Sequence, residues 1–549
     1  MTGPAKTYFA PCMQNGSTPS AVALAAALLL TGLSTGCRKE SDRPTWDVDL
    51  LVPLVRTSFT IGDLLADSLL ETDPDGSVSL VYRSELFKLE LDTLLLAPDT
   101  NFRYSYAIPV ADSINLPAGL NFFSDNDVQR FDLEQLELRQ LVLREGRLQL
   151  LMDNRVGSRV IGSLQLPSAT FPDGSSLITA SVGPGTPANP GYATATRDLA
   201  GTSFDLRGPD YNSVNTLATN IGAQLDPLGS GAWVTADDSL IIDVNYTGLV
   251  PQYARGYFGQ RNLEVGPETN ELTLFDALVG GTLDLDDATL RLRVENGFGM
   301  DLRVRMRNLT AVNTRTGTSV DLDHTIFQGP ININRAIDQG NAPLASVYTN
   351  TIGTDNSNID LFLESLPDQV RYELDLELNP LGDISNGNDF LYYESELKAG
   401  LELDVPLRLI TNELTLETIS QPDLPGSAEG HALRSGTLKL FATNGFPMSA
   451  RFSLAMVNEA GEVVATLPVD GIAAPGLLGA NNVVIQATES VLTVALSEEE
   501  VNLLYSGLRL RTRVAFTTSD QTQHLRILDS YRMDLQMTLS ANYMVNGDE

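Results

Sequence analysis

At 549 residues the chain exceeds what one hydrophobic core usually organises, so about three or four domains are expected. Hydrophobic residues at 42% and charged residues at 19% are globular proportions, which excludes a disordered polyelectrolyte. The formal net charge of -34 is spread as Asp and Glu alternating with apolar residues. Such a potential repels phosphate backbones, so no nucleic-acid partner is expected, and adsorption to an anionic membrane surface is disfavoured as well.

The first apolar run, Ala21 to Leu33, is too short to span a bilayer, which takes about twenty residues, and fits the hydrophobic region of a signal peptide. It ends in Leu33-Ser34-Thr35-Gly36-Cys37. Cys12 and Cys37 are the only cysteines, so everything downstream lacks disulfides, thiolate metal sites and cysteine nucleophiles. A thiol kept only here is easiest to explain as an acylation site, and two or three acyl chains hold a protein at a membrane without a spanning helix. The small residues before Cys37 resemble a bacterial lipobox of the Bacteroidota kind, with Ser34 where an apolar residue is usual. The resemblance implies a cleaved signal peptide over residues 1–36, lipidation of Cys37 and a polar tether over 37–44. The tether's Arg-Lys-Glu-Ser-Asp-Arg resembles the short export signals of surface lipoproteins in that phylum.

Residues 45–127 read as an N-terminal β region. Its opening Trp46-Asp47-Val48-Asp49-Leu50-Leu51-Val52-Pro53-Leu54, with Thr60-Ile61-Gly62-Asp63-Leu64-Leu65 after it, is similar to the start of Bacteroidota-type surface lipoproteins. Glu71-Thr72-Asp73-Pro74-Asp75-Gly76 imitates a calcium loop but has Tyr82 where a bidentate glutamate is required, so a hairpin turn is expected.

From there strict apolar/polar alternation dominates, the period of a strand with one wet face. Met300 to Arg307 is the clearest case, with Met300, Leu302, Val304 and Met306 facing inward; Tyr372–Leu378, Leu401–Val405 and Met533–Leu539 follow the same rule. Alternation this clean predicts half-buried antiparallel sheets. Arg303, Arg305 and Arg307 make an outward basic row that needs an acidic strand beside it, and Glu373, Asp375 and Glu377 are the expected partners.

Aligning strand pairs on an asparagine reveals a repeat: Leu148 to Pro167, Leu290 to Arg307 and Leu438 to Val457. Each is a strand, a corner at Asn154, Asn296 or Asn444, a second strand, and later a glycine turn at Gly174, Gly317 or Gly461. The anchors lie 142 and 148 residues apart, about one sandwich domain. Asparagine and glycine suit such corners because both tolerate positive φ and the amide can bond neighbouring backbone. The pattern resembles the β-sandwich of water-stress and late-embryogenesis-abundant proteins over about twenty residues per copy. The expected fold is all-β: tandem antiparallel, immunoglobulin-like β-sandwich domains with short helical inserts. Repeat boundaries fall at 128–270, 271–420 and 421–549. Pro/Gly-rich stretches near 182–201 and 421–436 are long loops or linkers, and Ser497 with Glu500 closes a capping box on a helical insert.

Candidate chemistry is sparse. The loop Pro251 to Asn262 gathers Tyr253, Arg255, Tyr257, Phe258 and Arg261, a mixture suited to stacking on sugars or docking a peptide, and Phe390, Tyr392 and Tyr393 form a second cluster. Aromatic residues on strands are more often core. Asp284, Asp286 and Asp287, and Asp355 with Asn356 and Asn358, carry oxygens of the kind calcium takes; no other cofactor and no catalytic metal is expected. His324, His431 and His524 are isolated, and no nucleophile elbow, P-loop, zinc-protease or dinucleotide motif occurs. The expectation is therefore a non-catalytic, exported lipoprotein, anchored in the outer membrane through its lipid and facing the cell surface or, failing that, the periplasm. It would act as a structural, adhesive or binding scaffold toward an envelope protein or polysaccharide. The rivals are a lipid or glycan carrier with an apolar groove, and a glycan hydrolase built on two carboxylates.

Overall fold

A computed structural model describes residues 45–65, 69–90, 95, 97–421 and 431–546. The chain is all-β, and its sheets pair into three antiparallel sandwiches. In the first, one sheet holds strands Thr100–Ala107, Ser239–Tyr257, Glu137–Asn154 and Gly191–Asp198 in that order. It faces Asn121–Arg130, Thr216–Leu225, Val160–Gln165 and Leu177–Val182. The second repeats the order with Val78–Glu90, Glu396–Pro406, Thr289–Asn296 and Ser346–Gly353 facing Arg261–Glu271, Gln369–Leu378, Leu302–Asn313 and Thr318–Asp321. The third sets Thr45–Thr60, Arg532–Asn546, His431–Asn444 and Thr488–Leu496 against Arg408–Ser420, Arg509–Thr518, Met448–Val457 and Val463–Leu467.

The asparagine corner is built identically three times. Each amide nitrogen donates to the carbonyl four residues on (Ser158, Met300, Met448) at 2.8–3.0 Å and to a second carbonyl (Gly183, Asn334, Ala474) at 2.8–3.0 Å. Each amide oxygen accepts from the N–H two residues on, at Val156, Phe298 and Phe446. All three asparagines are fully buried, so the side chain does inside the core what water would do outside. The turn glycines Gly174, Gly317 and Gly461 all have positive φ, as their turns require. Ser497 and Glu500 close the expected capping box on helix Glu498–Tyr505.

Alternation decides which face is wet. Leu302, Val304 and Met306 are buried, while Arg303 and Arg305 point outward from the same strand. That row lies against the expected acidic one: Arg303 pairs in register with Glu377 and Arg305 with Asp375, and a bulge lets Arg307 reach Asp375 at 2.6 Å. The Pro/Gly-rich stretch near 182–201 is a loop and edge strand of the first sandwich. The expected loop or linker near 421–436 is corrected in part: residues 431–436 pair as strand His431–Asn444, residues 422–430 lie outside the described residues, and the strands on either side both belong to the third sandwich.

The expected boundaries at 128–270, 271–420 and 421–549 do not follow the sandwiches: Arg261–Glu271 belongs to the second and Arg408–Ser420 to the third, because strands pair across those limits, and the early strands are dealt out in reverse. Thr45–Thr60 joins the third sandwich, Val78–Glu90 the second and Thr100–Ala107 the first. Leu278–Leu285 likewise leaves its neighbours to extend the third. Between second and third sandwiches a single residue, Leu407, links Glu396–Pro406 to Arg408–Ser420. Its N–H donates to the Val78 carbonyl at 2.8 Å and its carbonyl accepts from Ile527 N–H at 2.9 Å, a backbone lock rather than a hinge. One apolar core runs unbroken from the first sandwich into the near half of the third, and a smaller cluster around Leu438, Leu454 and Val494 fills the far half.

Candidate functional site

The two aromatic groups expected from sequence meet at the junction of the first and second sandwiches. The end of strand Ser239–Tyr257 pairs with the short strand Asp389–Tyr392, placing Tyr253 opposite Tyr392 and Arg255 opposite Phe390. Directly opposed residues share a face, so the two tyrosine rings meet at a tilt with centroids 4.8 Å apart and Phe390 meets Tyr392 edge-on at 5.9 Å. Gly299 is required here, because a Cβ would stand 2.2 Å from the Phe390 ring.

At the centre is Asp338, which the sequence did not single out. Its carboxylate accepts from the Tyr392 hydroxyl at 2.6 Å, the Tyr253 hydroxyl at 2.9 Å, Arg255 Nη2 at 2.9 Å and the Gly340 N–H at 2.8 Å. Arg255 Nε donates to the Tyr253 oxygen at 2.9 Å, which completes the ring of contacts. Burial pushes the Asp338 carboxyl upward, but the hydrogen bonds from Tyr392, Gly340, Tyr253 and Arg255 outweigh it and hold it below the usual carboxylate range. Burial, then Asp338, pushes the Tyr253 phenol up to about 12, and raises Tyr392 as well. Both phenols therefore stay protonated donors at neutral pH.

A second polar knot lies beside it. Asp389 is fully buried, accepts from Arg335 at 3.2 Å and from Asn379 Nδ2 at 2.9 Å, and Arg335 continues to Asp301 at 2.8 Å. Burial raises the Asp389 carboxyl above its ordinary value. The other sequence candidates diverge from this centre. Phe258 is buried in the core, Tyr257 is half-buried, and Arg261 begins the next strand opposite Leu378. Tyr393 is 44% exposed, with the Arg144 guanidinium 4.1 Å above its ring. The junction thus has donors and acceptors that satisfy one another, an arrangement that fastens two sandwiches.

Of the residues considered for calcium, five have partners of their own. Asp284 meets His524 at 2.8 Å, Asp286 meets Arg408 at 2.8 Å, and Asp287 accepts from Thr354 at 3.1 Å. Asn356 and Asn358 accept backbone N–H groups. The Asp73 to Gly76 segment is the expected hairpin turn, with Asp75 paired to Arg526 at 2.9 Å. His324 uses Nδ1 to accept the Ile326 N–H. Cys37 lies outside the described residues. Among the described residues, no helix is long and apolar enough to cross a membrane.

Sequence reading missed the exposed apolar residues at the free end of the first sandwich. Strand Ser239–Tyr257 starts beside the Asn154 corner and runs to the junction, so loops at that corner lie at the opposite end. There Ile114–Leu116 pairs with Ala232–Val234, leaving Trp233 71% and nearby Leu228 96% exposed. The one available signal was a tryptophan set in the glycine-rich Leu228-Gly-Ser-Gly-Ala-Trp233. Inside the sandwiches, two apolar cavities of about 30 and 40 Å³ have room for about a water each, against roughly 300–1,000 Å³ for small-molecule sites.

No family model matches the chain, and no curated protein matches it. Among solved structures, a Parabacteroides distasonis protein provisionally described as secreted is 9% identical, with 90% of this chain and 99% of that one covered at a TM-score of 0.25. The infectious bursal disease virus VP2 subviral particle is 10% identical over 83% of each chain at a TM-score of 0.10. The Gx strain of that virus is 10% identical, covering 89% of this chain and 85% of that one at 0.09. Likenesses this slight transfer no property to the chain.

Proposed function

We propose that the protein is an exported, non-catalytic scaffold, held at the outer membrane through a lipid on Cys37, that presents the loops of its first sandwich to a protein or polysaccharide of the cell envelope. The observation that carries this reading is the path of the chain. Thr45 pairs with Asn546 at the end of strand Arg532–Asn546, whose other end lies at the Asn444 corner next to the second sandwich. The chain therefore enters the folded body at the end of the third sandwich farthest from the first. A lipid a few residues before Thr45 would place the third sandwich at the membrane and the Trp233 loops outermost. Backbone-locked junctions and a continuous core suit a rigid spacer.

Small apolar cavities count against a carrier that encloses a lipid. Labelled palmitate fed to expressing cells should enter the wild type and not Cys37→Ala. Protease added to intact cells should cut the Leu228 to Trp233 loop first. Unlabelled wild-type protein would remove the anchor, and a loop resistant to protease on intact cells but cut after lysis would place the scaffold on the periplasmic side.

A further inference from the structure

One open face of the second sandwich differs from its counterparts in the other two. Counting three positions from each asparagine corner, Arg293 stands opposite Gly400, where the first sandwich has Leu151 opposite Asp243 and the third has Phe441 opposite Gln536. The missing side chain leaves the sheet floor bare. Around it opens a groove of about 480 Å³, within the roughly 300–1,000 Å³ range of small-molecule sites.

The walls are unusual for so acidic a chain. Arg83, Arg291, Arg293 and Lys398 line the groove beside Glu85, Glu295 and Glu402, four cationic side chains gathered on one face of a protein of net charge -34. Arg83 and Arg291 are held by opposite oxygens of Glu402, at 3.0 and 2.5 Å, so their guanidinium groups are fixed across three strands. Arg293 and Lys398 instead pair with Glu295 and Glu396, each two residues away on the same strand. Arg293 and Glu295 are 57% and 37% exposed, and exposed pairs of this kind contribute only about 0–1 kcal/mol, so an incoming anion exchanges with them at little cost.

We propose that this groove binds a saccharide unit carrying a single carboxylate, such as a terminal uronic acid. Arg293 and Lys398 would take the carboxylate, with the planar guanidinium offering a two-pronged fit. Glu85, Glu295 and Ser84 would accept from or share protons with the hydroxyls. A polyanion is disfavoured by the field of the whole chain, whereas one carboxylate seated in the groove feels chiefly charges within about 8 Å at physiological ionic strength. The site is independent of the lipid anchor and of the Trp233 loops.

Calorimetric titration of the folded chain with a glucose tetrasaccharide ending in glucuronate, beside its all-glucose counterpart, tests this. Saturable binding of the acidic sugar alone is expected, weakened at least tenfold in Arg293→Glu and in Gly400→Asp, the latter putting in the residue the first sandwich has. Arg103→Glu on the first sandwich makes the same charge change far from the groove and should leave the affinity unaltered. A thermal midpoint within a degree or two of wild type shows each variant folded, and Arg293→Leu replaces any that is not. No binding, equal binding of the neutral sugar, or equal weakening by Arg103→Glu would each overturn the assignment.

Discussion

Fully buried Asn296 satisfies three backbone groups: the buried Met300 carbonyl and Phe298 N–H, and the part-buried Asn334 carbonyl. Truncation leaves the Met300 carbonyl and the Phe298 N–H buried and unpaired at about 1–3 kcal/mol each before relaxation, so Asn296→Ala is expected to cost about 2 kcal/mol or more. Urea unfolding followed by tryptophan-independent circular dichroism measures it; a cost below about 1 kcal/mol would mean the corner is held by its strands alone. Asp338 gives a prediction with a pH sign. Its folded value lies below the ordinary 3.8, so its contribution is present above that value and is lost as pH falls through the depressed one. Asp389 acts oppositely: its raised value makes its contribution full below 3.8 and lost as pH rises. The difference between wild type and Asp338→Asn isolates the first group. It should be about 1–2 kcal/mol at pH 6 and shrink toward pH 3, and a pH-independent difference would contradict the clasp.

At the scale of elements, the pairing of strands Leu302–Asn313 and Gln369–Leu378 rests on apolar inner faces and on opposite charges outside. Arg303→Glu puts like charges beside Glu377 and should cost about 1 kcal/mol, with Glu377→Arg in the same chain restoring most of it. A double-mutant cycle reads the coupling, and additive losses would show that the ion pair at 3.0 Å contributes nothing. These strands were legible because period-two patterning and charge sign are written within each segment. The corners were legible because asparagine performs a local task, bonding residues two and four positions on. What escaped was contact between distant segments. Tyr253 and Tyr392 were readable as aromatic clusters, but nothing in either says that they pair. Asp338 sits in an ordinary Ile-Asp-Gln-Gly turn, and its partners, not its neighbours, make it the centre. The groove on the second sandwich depends on an absent side chain at Gly400 opposite Arg293, which no single segment displays.

For the molecule as a whole, the decisive feature is that the first strands are laid down in the order third, second, first, before the repeats proceed first, second, third. Three-fold repetition was visible in sequence; this interleaving was not, because an alternating strand carries no address for its partner. Its consequence is thermodynamic. Thr45–Thr60 is paired along its length with Arg532–Asn546, nearly the whole chain away, so the third sandwich cannot close until the last strand exists. Closing so long a loop carries an entropic cost that grows slowly with length but delays the contact, which favours early completion of the first sandwich. Removing residues 45–60 should therefore expose the edge of Arg532–Asn546 and loosen the third sandwich while leaving the first intact. Hydrogen exchange is the direct measure: protection should fall by at least tenfold in Arg532–Asn546 and His431–Asn444 and hold within twofold in Glu137–Asn154 and Ser239–Tyr257. Equal loss in all four strands would mean that the continuous core makes the three sandwiches one cooperative unit, and no loss in the third would mean that its first strand is dispensable.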